Sequence, residues 1–104
     1  QDSIENTNVS TLNLSTRIYN ALIKLGVTTV SDVLVLFKSE YIYAIRNIGY
    51  NSYCDLVLKL EELGLTVPNV SPDYSTYSSK KNMYYELIGQ TNLLVLAYDF
   101  VNNI

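Results

Sequence analysis

Two glycine turns constrain this chain more than any other feature of it. Leu25-Gly26-Val27 sits within KLGVTTVSDVL, and Ile48-Gly49-Tyr50 sits within RNIGYNSYCDL. In both, apolar residues recur at intervals of three and four on either side of the glycine, the period of a helix with one buried face. Gly26 can take the left-handed conformation that ends a helix without a Cβ clash, so the chain reads as a helix, a tight turn and a second helix, twice over.

The segments follow from that frame. Residues 1–10 are polar and form an N-terminal segment expected to be frayed or extended. In LNLSTRIYNALIKLGV, Ser15 is the expected N-cap, and Ile18, Leu22 and Leu25 make one stripe with Ala21 beside it. TTVSDVLVLF reads as a second helix, opened by a Thr29–Asp32 capping box and burying Val30, Val33, Leu34 and Phe37. SEYIYAIRN restarts a third helix with Ser39 as cap, Glu40 at its positive end, and Ile42, Ile45 and Tyr41 turned inward. The fourth, YCDLVLKLEELGL, carries Leu56, Leu60 and Leu63, with Val57 and Tyr53 alongside, and ends at Gly64. Residues 11–67 therefore make one domain.

Pro68 and Pro72 bracket a turn-rich linker over 68–80, and 81–104 reads as a C-terminal helical extension with its helix over Lys81–Asn102. Gly89–Asn92 are poor helix formers and LLVLAYDFV could pass for a strand, but a lone strand would have no partner. Met83, Leu87, Leu94, Ala97 and Val101 then form a face that packs on this domain or on another chain. The fold class is all-α: a compact bundle of four short helices in two helix–hairpin–helix units plus a C-terminal helix.

Composition narrows the function. Of 104 residues none is His, which removes the commonest acid–base group and metal ligand at neutral pH. Cys54, the one cysteine, has no His partner and reads as a packing residue; Glu61 and Glu62 are adjacent on a helix and read as a solvated face. No phosphate-binding glycine loop is present. The expectation is a protein that is not an enzyme and uses no cofactor or metal. A single cysteine allows no internal disulfide, no basic-then-apolar segment opens the chain, and the longest apolar run, Leu93–Ala97, is far below the ~20 residues of a membrane span. A cytoplasmic location without membrane contact is expected, and the start at Gln1 suggests a processed or excised chain. The net charge of −3 denies the chain an overall basic footprint. Any DNA binding must rest on a few placed groups, near the non-specific range of about 10⁻⁴–10⁻⁶ M.

Two sets of polar residues could supply those groups. Arg17 and Asn20 are three apart and share the helix face opposite Ile18, Leu22 and Leu25. Asn47, Gly49, Asn51 and Ser52 surround the start of the fourth helix, where unpaired amides and the positive end of the dipole can hold a phosphate without a lysine. The Arg17 guanidinium suits the narrow, electronegative minor groove of A·T-rich DNA. The plainer alternative is that Arg17 and Asn20 are exposed helix residues and Asn51-Ser52 an ordinary helix start.

In order, LSTRIYNAL, GVTTVSDVL, NIGYNS and LEELGL resemble the C-terminal domain of the bacterial RNA polymerase alpha subunit over some 55 residues, about 12–67. The resemblance implies that Arg17, Asn20, Asn47, Gly49 and Ser52 contact the minor groove and its phosphates. It also implies a tethered transcription module that touches DNA and regulatory proteins or polymerase subunits. Family members carry basic residues inside the Gly-x-x-Ser turn, where this chain has Tyr50 and Asn51. The tail from Tyr74 has no counterpart in that pattern, so a stand-alone or accessory protein that self-associates through its C-terminal helix is one expectation. Ten tyrosines and an acidic balance suit a protein-interaction module that keeps the fold without DNA binding. A helix–hairpin–helix accessory domain of a repair or recombination enzyme is a third reading.

Overall fold

The computed structural model describes residues 4–103. Five α-helices follow one another: α1 (Thr16–Lys24), α2 (Val30–Ser39), α3 (Tyr50–Glu62), α4 (Tyr74–Met83) and α5 (Leu93–Asn102). Short 3-10 turns at Ile4–Asn6 and Val9–Thr11 precede α1, and others at Tyr41–Ala44 and Tyr85–Leu87 lie between α2 and α3 and between α4 and α5. No strand occurs among the described residues, so the all-α expectation holds.

The helix boundaries obey the local chemistry. The Ser15 hydroxyl accepts the Ile18 amide at 3.3 Å and opens α1. At α2 the box is reciprocal: the Asp32 amide donates to the Thr29 hydroxyl at 3.4 Å, and the Thr29 amide donates to the Asp32 carboxylate at 3.3 Å. Gly26 and Gly64, at φ +88° and +86°, terminate α1 and α3 in the left-handed region. An alanine at either position would be strained by about 1 kcal/mol or more.

Four expectations need correction. The N-terminal segment is docked rather than extended: Val9 is wholly buried, its amide donates to the Thr28 carbonyl at 2.9 Å, and the Val30 amide donates to the Thr7 carbonyl at 2.9 Å. Residues 1–3 of that segment, and Ile104 of the expected extension, lie outside the described residues. The expected third helix is one 3-10 turn, because α2 runs on to Ser39 and Glu40 then turns left-handed at φ +67°. Glu40, not Ser39, is therefore the N-cap of that turn, although the Ser39 hydroxyl accepts the Tyr41 amide at 3.2 Å. The large side chain it buries most deeply is Tyr43, with Tyr41 half-buried at its edge.

The fourth correction concerns the tail. The expected linker already contains most of α4, opened by Asp73, whose carboxylate accepts the Thr76 amide at 2.8 Å. A single helix over Lys81–Asn102 does not form: α4 stops at Met83, Gly89 is left-handed at φ +90°, and α5 begins at Leu93. Residues 68–73 are pinned as well. Asn69 donates to the carbonyls of Phe37 and Lys38 at the end of α2, at 3.3 and 3.1 Å.

One core results. Ile18, Leu22, Val30, Val33, Leu36, Phe37, Leu56 and Leu60 are wholly or almost wholly buried, and Leu93 and Ala97 bring α5 onto them, mainly against α2. Each large aliphatic residue so buried contributes about 1.5–3 kcal/mol. At the centre Tyr43 packs on Tyr53, with ring centroids 5.4 Å apart, and on Tyr77 of α4 at 5.7 Å. Its hydroxyl lies 2.9 Å from the Tyr53 hydroxyl and 2.6 Å from that of Ser71. Here the tail is fastened to the domain by aromatic contact and shared protons together.

Two carboxylates fasten it at the periphery. Asp32 accepts from the Tyr98 hydroxyl of α5, and Glu40 pairs with Lys80 and accepts from the Tyr84 hydroxyl at 2.7 Å. Partial burial pushes both carboxyls up. The bonds from Tyr98, Thr28 and Thr29 to Asp32, and from Lys80 and Tyr84 to Glu40, outweigh it and hold both below their ordinary values. A carboxyl lowered by folding adds stability that is present above its unfolded value, about 4, and is lost as pH falls through the folded one. Thermal melts between about pH 5 and pH 3 should therefore show falling stability, with a shallower fall in Glu40→Gln. An identical slope in that variant would remove Glu40 from the account.

Candidate nucleic-acid interface

The exposed side of α1 and the turn leading into α3 lie next to each other. The apolar stripe of α1 buries Ile18, Ala21 and Leu22, so Arg17, Asn20 and Lys24 are left facing solvent. Opposite them the backbone leaves the Tyr41–Ala44 turn, buries Ile45 and Ile48, and turns Arg46 and Asn47 outward. Asn47 is left-handed at φ +73°, a conformation asparagine tolerates better than most residues.

A surface groove of about 510 Å³ results, lined by Arg17, Asn20, Ala21, Lys24 and Asn47. It runs into a smaller groove of about 210 Å³ that shares Ala21, Lys24 and Asn47 and is continued by Arg46 and by Gly89–Thr91 of the tail. No acidic residue lines either groove. Arg17, Lys24 and Arg46 make no ion pair with any described residue, and the Lys80–Glu40 pair is the single one among those residues. An acidic protein thus carries a local strip of one sign, where clefts concentrate potential. Composition could not reveal it, because net charge averages over faces.

Of the six residues the sequence singled out, Arg17, Asn20 and Asn47 come together in the first groove. Gly49, Asn51 and Ser52 lie outside its lining, at the opening of α3. Gly49 and Asn51 are exposed and Ser52 is half-buried. Gly49 is the N-cap of α3, and that end has no side-chain cap. The first helical bond runs from the Tyr53 amide to the Gly49 carbonyl at 2.9 Å, so the amides of Tyr50, Asn51 and Ser52 have no partner within the helix. A Cβ added at Gly49 would meet nothing within 4 Å, so that side of Gly49 faces open space.

The tail braces the turn from the other side. The Tyr77 hydroxyl and the Lys81 ammonium of α4 donate to the Ile48 carbonyl at 3.1 and 2.9 Å. Burial lowers the Lys81 ammonium from its ordinary value. Tyr50 is taken up by this packing, edge-on to Tyr74 and Tyr77 with ring centroids 5.2 Å away in each case. Sequence reasoning missed Lys24, Arg46 and this brace. Lys24 carried a signal, seven residues and two helical turns beyond Arg17; Arg46 and the brace depend on the tail's path and carried none.

Among the described residues no cluster of three His, Cys, Asp or Glu could hold a metal ion, and no helix is long and apolar enough to cross a membrane. Cys54 is half-buried against the core, and Glu61 and Glu62 are exposed.

No solved structure matches the sequence. Among curated proteins it is similar to the DNA-directed RNA polymerase subunit alpha of Mycoplasmopsis pulmonis, 33% identical over 67 residues, which is 64% of this protein and 20% of that one. The same subunit from Helicobacter pylori is 36% identical over 66 residues, covering 62% of this protein and 19% of its own length. That of Cutibacterium acnes is 40% identical over 68 residues, covering 65% and 20%. The protein thus spans about a fifth of the length of these relatives. The family model that describes the C-terminal domain of the bacterial RNA polymerase alpha subunit matches residues 1–62, which include α1, α2, α3 and every residue of the first groove. By that match the protein belongs to the family of bacterial RNA polymerase alpha C-terminal domains.

Proposed function

We propose that this protein is a DNA-binding module of the transcription apparatus that docks on A·T-rich minor groove. The observation that carries the reading is the shared groove of Arg17, Asn20 and Asn47, exposed and free of acidic lining. Arg17 enters the minor groove, where narrow A·T tracts concentrate negative potential. Asn20 and Asn47 supply neutral donors and acceptors at its walls. The uncapped amides of Tyr50–Ser52, with Gly49, Asn51 and the Ser52 hydroxyl around them, receive a phosphate of the flanking backbone. Tyr50, committed to Tyr74 and Tyr77, is not offered to the DNA. With few cations in play, binding by one copy is weak and its salt dependence is shallow.

Arg17→Ala is expected to cost about 1–3 kcal/mol of affinity for an A·T-rich duplex, about 5–150-fold, and to erase preference over a G·C-rich one. Fluorescence anisotropy at low salt measures both. Equal affinity for the two duplexes, untouched by Arg17→Ala, would end the proposal.

A second reading rests on the tail, where Met83, Tyr85 and Val95 are each about 70% exposed. Large apolar groups so presented fit contact with transcription regulators, polymerase subunits or a second copy of the C-terminal helix. A protein that binds neither duplex but sediments as a dimer would favour it.

A further inference from the structure

We propose that Lys24 and Arg46 form a second phosphate-binding subsite, completed by the tail, that holds the duplex backbone beside the minor-groove contact; it rests on the reading just given. The two grooves are neighbours that share Ala21, Lys24 and Asn47, so Lys24 lines both and Arg46 lies in the one beside the Arg17 groove. Both cations are exposed, neither is paired with a described residue, and the neutral lining opposite them is Gln90 and Thr91. A guanidinium and an ammonium with free donors suit phosphodiester oxygens, which take charge-assisted bonds.

The tail sets the aim of Arg46. Its guanidinium lies over Gly89, where a Cβ would come within 2.8 Å of the nearer Nη atom. Gly89 is left-handed at φ +90°, which favours glycine, and a Cβ there would push the end of the Arg46 side chain aside. This contact lies beyond the 62 residues that match the family model. The Gly-x-x-Ser turn itself offers Tyr50 and Asn51, neither of them a cation. Lys24 and Arg46 supply the cations for phosphate contacts on the other side of the Arg17 groove, with the Gly89–Thr91 loop as wall.

The test is anisotropy titration of the 104-residue chain with A·T-rich and G·C-rich duplexes from about 50 to 200 mM salt. The double variant Lys24→Gln/Arg46→Gln should weaken both duplexes by the same factor, about tenfold per cation near 0.1 M salt, and reduce the salt slope by about 2. Arg46→Lys should restore about one contact to that slope. Both residues are exposed, and far-UV circular dichroism checks that the variants fold. An unchanged slope in the double variant, with A·T preference still lost in Arg17→Ala, overturns this subsite and leaves the minor-groove reading intact. Loss of A·T preference in the double variant without a change of slope also overturns it. A parent protein that binds no duplex overturns both.

Discussion

Tyr43→Ala should lower the free energy of unfolding by about 3–5 kcal/mol, the range for removing a large buried aromatic. In a domain of this size that corresponds to a fall in Tm of roughly 12–40 °C. Tyr43 is 1% exposed, and its ring meets Tyr53 of α3, Tyr77 of α4 and Tyr84 just beyond the end of α4. Its loss opens a cavity where domain and tail meet. Tyr43→Phe separates ring from hydroxyl. It keeps the packing and withdraws one partner each from Tyr53 and Ser71 and the donor to the Asn69 carbonyl at 3.1 Å. About 1–3 kcal/mol is expected for that change, as buried polar groups lose a bond. Urea unfolding followed by tyrosine fluorescence gives both values. A loss below 1 kcal/mol for Tyr43→Ala would mean that the cluster is peripheral to stability.

The same cluster marks where sequence reasoning stopped. Within 11–67 the glycine ends of α1 and α3, the Ser15 cap and the Thr29–Asp32 box are all local. Each depends on residues within four positions, so each could be read directly. Tyr43 was missed in favour of Tyr41 because a 3-10 turn shifts which residue points inward, and Glu40 gave no sign of taking a left-handed conformation. The tail was misread for a related reason. Asp73 is a sound N-cap, but Pro68 and Pro72 drew attention to breakage, and the bonds from Asn69 to α2 span more than thirty residues. In the candidate site, Arg17 and Asn20 were legible as one helix face. Their approach to Asn47 followed from the resemblance, not from periodicity. Arg46 was not legible at all, because its place depends on Gly89, forty-three positions away.

The second large effect is expected at Ala97, wholly buried in α5. Ala97→Glu puts a longer, charged group where the helix meets the core, and an unpaired buried charge costs several kcal/mol. The cheapest escape is for α5 to leave α2, giving up the burial of Leu93 and the Tyr98–Asp32 bond, while Tyr77, Lys80 and Lys81 keep α4 in place. Amide hydrogen exchange should then show protection lost over residues 89–103 and kept in α1 and α3. Because the Gly89 contact goes with α5, Arg46 loses its support while Arg17, Asn20 and Asn47 do not. The variant should still prefer A·T-rich duplex, with a salt slope reduced by about one. Protection lost evenly from α1 through α5 would instead make the tail part of one cooperative unit. In that case the groove could not be kept without the residues that lie beyond the family match.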